Sequence, residues 1–388
     1  MGTVVLFRGE SARNVVSDRV DRDALLLSSK GVDVRTADLT QPLQLPPANE
    51  IDLFVGYQGW GHDLRLSDGR SAIEACDAPF IALLGDHPIH HAARVAAFPA
   101  NTTICVSSLN QIGFLQQHLS SKSNIRHFTS TASVSGEPAR ERDLGALVVG
   151  QVQSPEQFLA AQNLPVVLVD IIRSYVETAA ADAAFDPVTS YMETGYARVL
   201  DLVGNAPSAI GVGRLIDLAA RLQFKWRFSN ALRRLPVTFV GDDWVKMPRR
   251  ADDRFTALPS VSYQDLPGLY ARAQIGLNLF PPYYDFHERI VDVIAQGTAL
   301  ATPRTDWLAD CFAFDEEVLA LPNDPDQAAD WLHGLLADGD RLTETGLKGR
   351  DRVARDFTDE TRIELFMDIL NGRTADGPNV PAALSKAG

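Results

Sequence analysis

The strongest constraint on the fold of this chain is an alternation of short apolar runs with helical stretches, which occurs twice. The apolar runs predict strands, and the stretches between them, such as Leu109–Leu119, have the pattern of helices. Strands that alternate with helices are joined in parallel and are covered by those helices. The first part of the chain is therefore predicted to form a parallel sheet. Its predicted strands are Val4–Phe7, Val32–Thr36, Ile51–Val55, Pro79–Leu84 and Thr103–Val106.

A polar segment with Gly and Pro, residues 130–142, precedes the next apolar strand, Leu144–Val149. Such a composition is typical of a connecting segment, so we place a domain boundary there. After residues 154–228, which are mostly helical in pattern, strands and helices alternate again. The predicted elements of this second part are strands Val237–Val240, Ser260–Tyr263, Ile275–Phe280 and Ala299–Ala301, with helices Leu266–Ala273 and Glu288–Gln296.

The length of 388 residues and the hydrophobic content of 45% allow a large core and two domains of ordinary size. We predict an α/β fold of two Rossmann-like domains and a disordered tail rich in Gly, Pro and Ala. The predicted ranges are 1–140, 141–373 and 374–388.

The net charge restricts the class of partner. The chain has 36 Lys and Arg against 50 Asp and Glu, a formal net charge of −14. This charge repels a polyanionic backbone, so nucleic acid is not an expected partner. A small phosphate compound remains compatible, because a few local donors and helix ends bind it whatever the global charge.

Neither a disulfide framework nor a membrane span is expected. Cys76, Cys105 and Cys311 are odd in number and far apart, so reduced thiols fit best. The N-terminal residues resemble a first strand and lack the pattern of a secretory signal. No apolar run approaches the roughly 20 residues that cross a bilayer, and we expect a cytoplasmic protein with no transmembrane segment.

The most informative motifs lie in the second part of the chain. The blocks YQDLPGLY from Tyr263, AQIGLNLF from Ala273 and FHERIVDVIAQG from Phe286 follow one another in this order. This order resembles the C-terminal domain of GT-B glycosyltransferases. It is most similar to the CgeB-like group, related to glycosyltransferase family 1, whose pattern is roughly Arg-x-Phe-Glu-x-x-Ala-x-Gly. The acidic position here is Asp292 where these families usually have Glu.

Three further segments are similar to the same group: Phe239–Trp244, Asp143–Gly150 and Asp86–Pro88. The resemblance thus spans roughly residues 50 to 370. It implies the GT-B architecture, in which two Rossmann-like domains with parallel sheets face a central cleft. The N-terminal domain would then be the acceptor side, and the C-terminal domain would bind the nucleotide sugar.

Donor-binding residues are expected where the helix of the third block begins. A helix that starts near His287 directs unpaired N–H groups toward the crevice, which suits a diphosphate. Arg289 would supply a planar cation to the leaving pyrophosphate, and Asp292 would accept hydrogen bonds from the ribose. Alternatively, Asp285 and Arg289 form a surface pair, and Glu288, also a donor-site candidate, only complements the helix dipole.

Three more donor-site candidates precede this helix. Gly241 follows a strand and allows the backbone close to a ligand. Tyr263 and Gln264 lie where the resemblance implies the loop that recognises the nucleobase, and an aromatic ring with an amide suits a uracil-like base. Ordinary packing is the alternative for both side chains.

Catalytic candidates follow the N-terminal strand that ends at Leu84. An acceptor hydroxyl has a high pKa, so transfer with inversion needs a carboxylate or imidazole as general base. Asp86 or His87 would fill this role; alternatively, Asp86 caps the next helix. Nearby histidines do not match a zinc signature, and GT-B enzymes usually need no metal, so no metal site is expected.

Acceptor-side candidates lie on two loops at the same sheet edge. Gly9 and Glu10 follow the first strand, and the glycine-rich segment 56–61 follows the third. Tyr57 and Trp60 would stack against a sugar, although aromatic residues of this kind also pack loops.

The predicted function is metal-independent transfer of a sugar, of the hexosyltransferase type (EC 2.4), from a UDP- or other NDP-sugar to an unidentified acceptor. No cofactor other than this co-substrate is expected. Two alternatives remain: a nucleotide-sugar epimerase of the same architecture, and a GT-B protein that binds a partner without catalysis.

Overall fold

The fold was analysed in a computed structural model, which describes residues 2–11, 15–66, 68–119, 124–134, 136–139 and 141–372. The chain divides into two compact units. The first comprises the described residues up to Thr131 together with those from Asp356 onward, and the second comprises Ala132–Arg355. The predicted tail, residues 374–388, lies outside the described residues.

The first unit contains a parallel sheet of six strands in the order β2-β1-β3-β4-β5-β6. Its central strands carry apolar side chains on both faces, because helices cover both faces. Val4 and Leu6 pack on one side and Val5 and Phe7 on the other. The strands are β1 Thr3–Arg8, β2 Asp33–Asp38, β3 Ile51–Tyr57, β4 Phe80–Leu84, β5 Thr102–Val106 and β6 Asn124–His127. The helices are α1 Val15–Ser29, α2 Ala72–Cys76, α3 Ala92–Ala97 and α4 Leu109–Phe114.

The second unit contains another parallel sheet of six strands, in the order β12-β11-β10-β7-β8-β9. The first strand of the unit, β7, lies in the centre beside β10. The strands are β7 Leu144–Val149, β8 Val237–Val240, β9 Thr256–Leu258, β10 Ala273–Leu277, β11 Ala299–Thr302 and β12 Leu319–Ala320.

Between β7 and β8 the chain forms a group of helices with its own core. Pro187 and Pro207 each lie in the first turn of a helix, where a missing N–H costs nothing. The helices are α5 Pro155–Ala160, α6 Val166–Ala181, α7 Pro187–Ser190, α8 Tyr196–Val203 and α9 Ala206–Leu232. The remaining helices of the unit are α10 Asp242–Val245, α11 Leu266–Arg272, α12 Arg289–Ile294, α13 Asp306–Cys311, α14 Pro325–Leu335 and α15 Gly339–Asp356.

The last helix, α16 Asp359–Leu370, belongs to the first unit. Ile363 and Phe366 are fully buried in the core that contains Val4 and Leu6. The predicted second domain, residues 141–373, therefore includes this helix, whereas the observed second unit, Ala132–Arg355, does not. An amphipathic pattern shows that a helix packs on a sheet, but it does not show on which one.

Most predicted strands are present within a residue or two, but Ser260–Tyr263 is not a strand. The edge strand is instead β9, which ends at Leu258. Pro259 has no N–H, and the N–H of Ser260 donates to the Asp242 carboxylate at 2.9 Å, so neither can extend the ladder. The short strands β6 and β12 were not predicted.

None of the helices in the described ranges has the length and apolarity that a membrane span requires.

Candidate functional site

The strand order of the second unit creates a point where the chain turns in opposite directions from two adjacent strands. From β7 the chain continues to β8 and β9 on one side, and β10 leads to β11 and β12 on the other. In such sheets, ligands bind outside the carboxyl ends of the strands at this point. Gly150 follows β7, and Asn278 follows β10.

Two cationic side chains converge on Gly150. A Cβ built on this glycine would lie 3.2 Å from Nζ of Lys225 and 3.7 Å from Nη2 of Arg289. Lys225 Nζ donates to the carbonyl of Gln151 at 3.1 Å. Both cations also lie near the ring of Phe280, at 5.8 Å and 5.6 Å from its centroid. Two positive charges lie beside one backbone turn, at the point where the chain turns in opposite directions from β7 and β10. They favour a ligand with two negative charges.

A second group of polar side chains surrounds Arg289. The hydroxyl of Tyr263 donates to Oδ2 of Asp292 at 3.1 Å, which brings two predicted donor-site residues together. Tyr270 is buried, and burial raises its pKa to about 12, although a hydrogen bond with Arg289 lowers it in part. The Tyr270 hydroxyl therefore stays protonated at neutral pH beside the guanidinium.

The helix begins one residue later than the predicted range Glu288–Gln296. Helix α12 begins at Arg289, and Glu288 is its N-cap residue, so Glu288 lies at the N-terminal end of the helix. Nδ1 of His287 accepts the N–H of Arg289 at 3.1 Å, and the His287 ring lies 3.9 Å from the Phe280 ring centroid. His287 thus orients the start of the helix and takes one of its free N–H groups.

The structure explains Gly241 without a ligand. A Cβ at this position would lie 2.9 Å from the carbonyl oxygen of Gly150, which also accepts the indole N–H of Trp244 at 2.9 Å. Close approach of two backbone turns therefore requires this glycine. Gln264 is exposed and adjacent to Tyr263.

Residues that the sequence analysis missed lie along one side of α9. Asp217, Arg221 and Lys225 follow one another at intervals of four, so they project from one face of the helix. Asp217 is fully buried; its carboxylate pairs with Arg221 at 2.9 Å and accepts the hydroxyl of Tyr283 at 3.2 Å. The Arg221 guanidinium lies 5.2 Å from the Tyr284 ring centroid. This face of α9 therefore holds the loop that leads into α12.

The two catalytic candidates of the first unit differ in exposure. Asp86 is half-buried, and Gln58 Nε2 donates to its Oδ2 at 3.4 Å. His87 is only 3% exposed; its Nδ1 accepts the N–H of Ile89 at 3.2 Å, and its ring packs against Phe114. His87, and not Asp86, is the residue that caps the following helical turn.

The acceptor-side candidates also separate into two kinds. Trp60 is half-buried, and a Cβ on Gly9 would lie 3.3 Å from its ring, so this ring packs over the end of β1. Glu10 is exposed beside it. Tyr57 is in the core: it is 7% exposed, and its hydroxyl donates to the buried Asp23. The prediction that Tyr57 stacks on a sugar was therefore wrong, because the Tyr57 side chain points into the core.

Within the described ranges, no three His, Cys, Asp or Glu side chains form a group suited to a metal ion.

Part of the chain matches a known protein family. Residues 222–368, which include Lys225, Arg289 and Asp292, match the family described as glycosyl transferase-like. A search of curated proteins finds no significant match.

The chain is similar over almost its whole length to solved structures of GT-B proteins. Sucrose-phosphate synthase from Thermosynechococcus elongatus is 14% identical, with a TM-score of 0.54 over 96% of this chain and 99% of that one. A glycosyltransferase from Rickettsia africae is 8% identical, with a TM-score of 0.54 over 97% and 99%. Anabaena HepE, solved in complex with UDP-glucose, is 11% identical, with a TM-score of 0.52 over 96% and 100%.

These similarities, with the two parallel sheets, show that the fold is GT-B. The predictions of a GT-B fold and of a glycosyltransferase are thereby confirmed. Membership of the CgeB-like group stays a prediction, as do the roles of the individual site residues.

Proposed function

We propose that this chain transfers a sugar from a nucleotide-sugar donor to an acceptor hydroxyl, and that the second unit binds the donor. The convergence of Lys225 and Arg289 on Gly150 carries the proposal. A diphosphate bound there gains charge as its bond to the sugar breaks, and fixed cations stabilise that charge more in the transition state than in the ground state. The two side chains would thus serve both binding and departure of the nucleotide.

The neighbouring residues fit the rest of a nucleotide. Asp292 would accept hydrogen bonds from the ribose, and Tyr263, held by its bond to Asp292, would place its ring against the base with Gln264 at its edge. Asp292 is one carbon shorter than the usual Glu, and the Tyr263 hydroxyl at 3.1 Å extends its hydrogen-bonding reach. HepE is solved with UDP-glucose, which supports a UDP-hexose as the donor and transfer of the hexosyl type.

On the acceptor side we assign the role of base to Asp86. The acceptor oxygen would attack the anomeric carbon as the bond to the diphosphate breaks, and its proton would pass to the Asp86 carboxylate. His87 is less suited, because it is buried and its Nδ1 already accepts a backbone N–H. His87 would position the turn that follows Asp86, while Glu10 and Trp60 would contact the acceptor.

The donor class is tested by thermal shift and calorimetry with UDP, GDP, dTDP, CMP and their sugars. A ligand that binds only the native state must raise its stability, by about 2.7 kcal/mol at a hundredfold excess over Kd. We expect stabilisation by one nucleotide, and binding roughly ten- to a hundredfold weaker in Lys225→Ala and in Arg289→Ala, because each removes charged hydrogen bonds. Arg214→Ala is the matched control, since Arg214 is exposed on the same helix as Lys225.

Two outcomes would contradict the proposal. If no nucleotide of the panel stabilises the protein, the alternative of a non-catalytic GT-B protein would remain. If Arg214→Ala and Lys225→Ala weaken nucleotide binding equally, Lys225 would not be part of the site. A turnover assay distinguishes the transferase from the remaining alternative, an epimerase. A transferase releases free nucleotide only when an acceptor is present, whereas an epimerase changes the donor sugar without an acceptor.

A further inference from the structure

Positive charge is concentrated in one segment of an acidic chain. Residues 221–254 contain nine Lys or Arg and four Asp, a net charge of +5, within a chain of net charge −14. The rest of the chain therefore carries −19. At physiological ionic strength charges are screened beyond about 8 Å, so a ligand near this segment responds to the local charge and not to the global one.

Part of this segment lines a groove of about 700 Å³ in the second unit. Lys246, Arg249 and Arg250 line this groove and are exposed. Two of them are held in place by neutral groups: Arg249 donates to the carbonyl of Phe255 at 2.6 Å, and Arg250 donates to Oδ1 of Asn230 at 3.0 Å. These contacts fix the guanidinium groups through neutral acceptors, and the Asp253 carboxylate also attracts Arg250.

A carboxylate close to these cations, that of Asp253, is paired with another residue. Asp253 forms a two-point ion pair with Arg233, and both side chains are almost completely buried. Asp253 also accepts the backbone N–H of Arg250 at 2.7 Å, which pins the loop. Arg233 and Asp243 line the groove as well, so four cations and one carboxylate line it, and one of the four, Arg233, is paired with Asp253.

Other residues that line the groove carry a different chemistry. Gln151, Gln153 and Gln157 line it and are exposed, and the half-buried Trp226 lines it as well. Side-chain amides both donate and accept, which matches the hydroxyl groups of a sugar. An indole offers an apolar surface for the C–H face of a sugar ring.

The groove adjoins the proposed donor site through residues 150 and 151. Gln151 lines the groove, and its backbone carbonyl accepts Lys225 Nζ. Gly150, immediately before it, is the residue on which Lys225 and Arg289 converge.

We propose that this groove binds an acidic carbohydrate chain. Lys246, Arg249 and Arg250 would contact the carboxylates, and the three glutamines would contact the hydroxyls. A groove lined by several amides fits a polyhydroxylated chain better than the flat surface of an anionic bilayer.

The test is direct binding of polygalacturonate to the full chain, without nucleotide, by calorimetry. The comparison ligands are methyl-esterified polygalacturonate, which has the same sugar without the charge, poly-L-glutamate, which has the charge without the sugar, and vesicles of phosphatidylglycerol. We expect polygalacturonate to bind at least tenfold more tightly than each of these. Lys246→Glu should weaken binding about tenfold and Gln153→Ala about threefold, whereas Arg198→Glu, an equal charge change at an exposed position of α8, should leave it unchanged.

Equal binding of poly-L-glutamate or of the vesicles would overturn the proposal, as would equal losses in Lys246→Glu and Arg198→Glu. The nucleotide panel decides the transferase function separately, because Lys246 and Gln153 are outside the donor site and their variants should keep nucleotide binding. Binding of polygalacturonate by a chain that binds no nucleotide would support the groove as a carbohydrate site and would contradict only the transferase function.

Discussion

At the scale of single residues, the environment of an ionisable group decides how the protein responds to pH. His127 ends strand β6, is fully buried, and its Nε2 lies 3.1 Å from the carbonyl oxygen of Ser107. Burial lowers the pKa of this imidazole from 6.5 to about 4, although the hydrogen bond to Ser107 raises it in part. The imidazole ring of His127 is therefore neutral in the folded protein at neutral pH.

The sign of the pH effect follows from this shift. Between pH 6.5 and about 4 the unfolded chain holds a proton on His127 that the folded chain does not, so stability falls as the pH falls, by at most about 1.4 kcal/mol per pH unit. We predict that His127→Gln, which keeps a donor for Ser107, removes about 3 kcal/mol of this pH dependence. Urea unfolding at a series of pH values measures it; parallel curves for the two proteins would contradict the prediction.

The sequence identifies site residues only where a motif surrounds them. Arg289 and Asp292 stand in such a motif, and the structure brings Asp292 together with Tyr263. Lys225 was missed because it reaches Gly150 from a helix 64 positions before Arg289. The spacing of Asp217, Arg221 and Lys225 was the one available signal, and charged residues at this spacing also occur on solvated faces.

At the scale of elements, α9 and the loop before α12 act together. The loop residues Tyr283 and Tyr284 are buried against the same face of α9 that carries Asp217 and Arg221. Burial and the nearby Asp217 carboxylate raise the pKa of Tyr283 well above 10, so its hydroxyl remains a donor. The helix thus fixes the position of the loop from which α12 and Arg289 continue.

We predict that Asp217→Asn lowers the free energy of unfolding by about 3 kcal/mol, because it leaves Arg221 without its buried partner charge. It should also weaken nucleotide binding several-fold, measured by calorimetry well below the melting temperature of the variant. Asp201→Asn, at an exposed position of α8, is the control. Loss of stability with unchanged nucleotide affinity would restrict Asp217 to a structural role.

Elements with a strong apolar pattern were predicted well, and edge elements were not. Strands Leu144–Val149 and Val237–Val240 were predicted to the residue, because both faces of a central strand are buried and the run is continuous. Strands β6 and β12 lie at sheet edges and are short, so they lack this signal. The segment Ser260–Tyr263 has the residue types of a strand, but its first N–H donates to a side chain.

At the scale of the whole molecule, the chain returns to its first unit after completing the second. Arg362 of α16 contacts Asp23 of α1 at 2.6 Å, 339 positions earlier in the sequence, and contacts Asp359 at 3.0 Å. The Arg362 and Asp23 side chains are fully buried, and Asp359 is nearly so. Burial tends to raise the pKa of Asp359, but Arg362 and Arg22 lower it below its usual value. No local pattern reveals such a pairing, because both partners are separately typical of solvated helix faces.

This network predicts a destabilisation that is confined to one unit. Arg362→Met keeps the apolar stem but leaves Asp23 buried without its cation and Asp359 paired with Arg22 alone, at a cost of about 3–5 kcal/mol. Hydrogen exchange should therefore become faster in the most protected amides of β1 and β3, and stay unchanged in β7 and β8, whose unit contributes no residue to the network. Glu364→Gln, on an exposed position of the same helix, should change neither. An equal acceleration in β7 and β8 would show that the two units unfold as one cooperative body, which would contradict the separation of their cores.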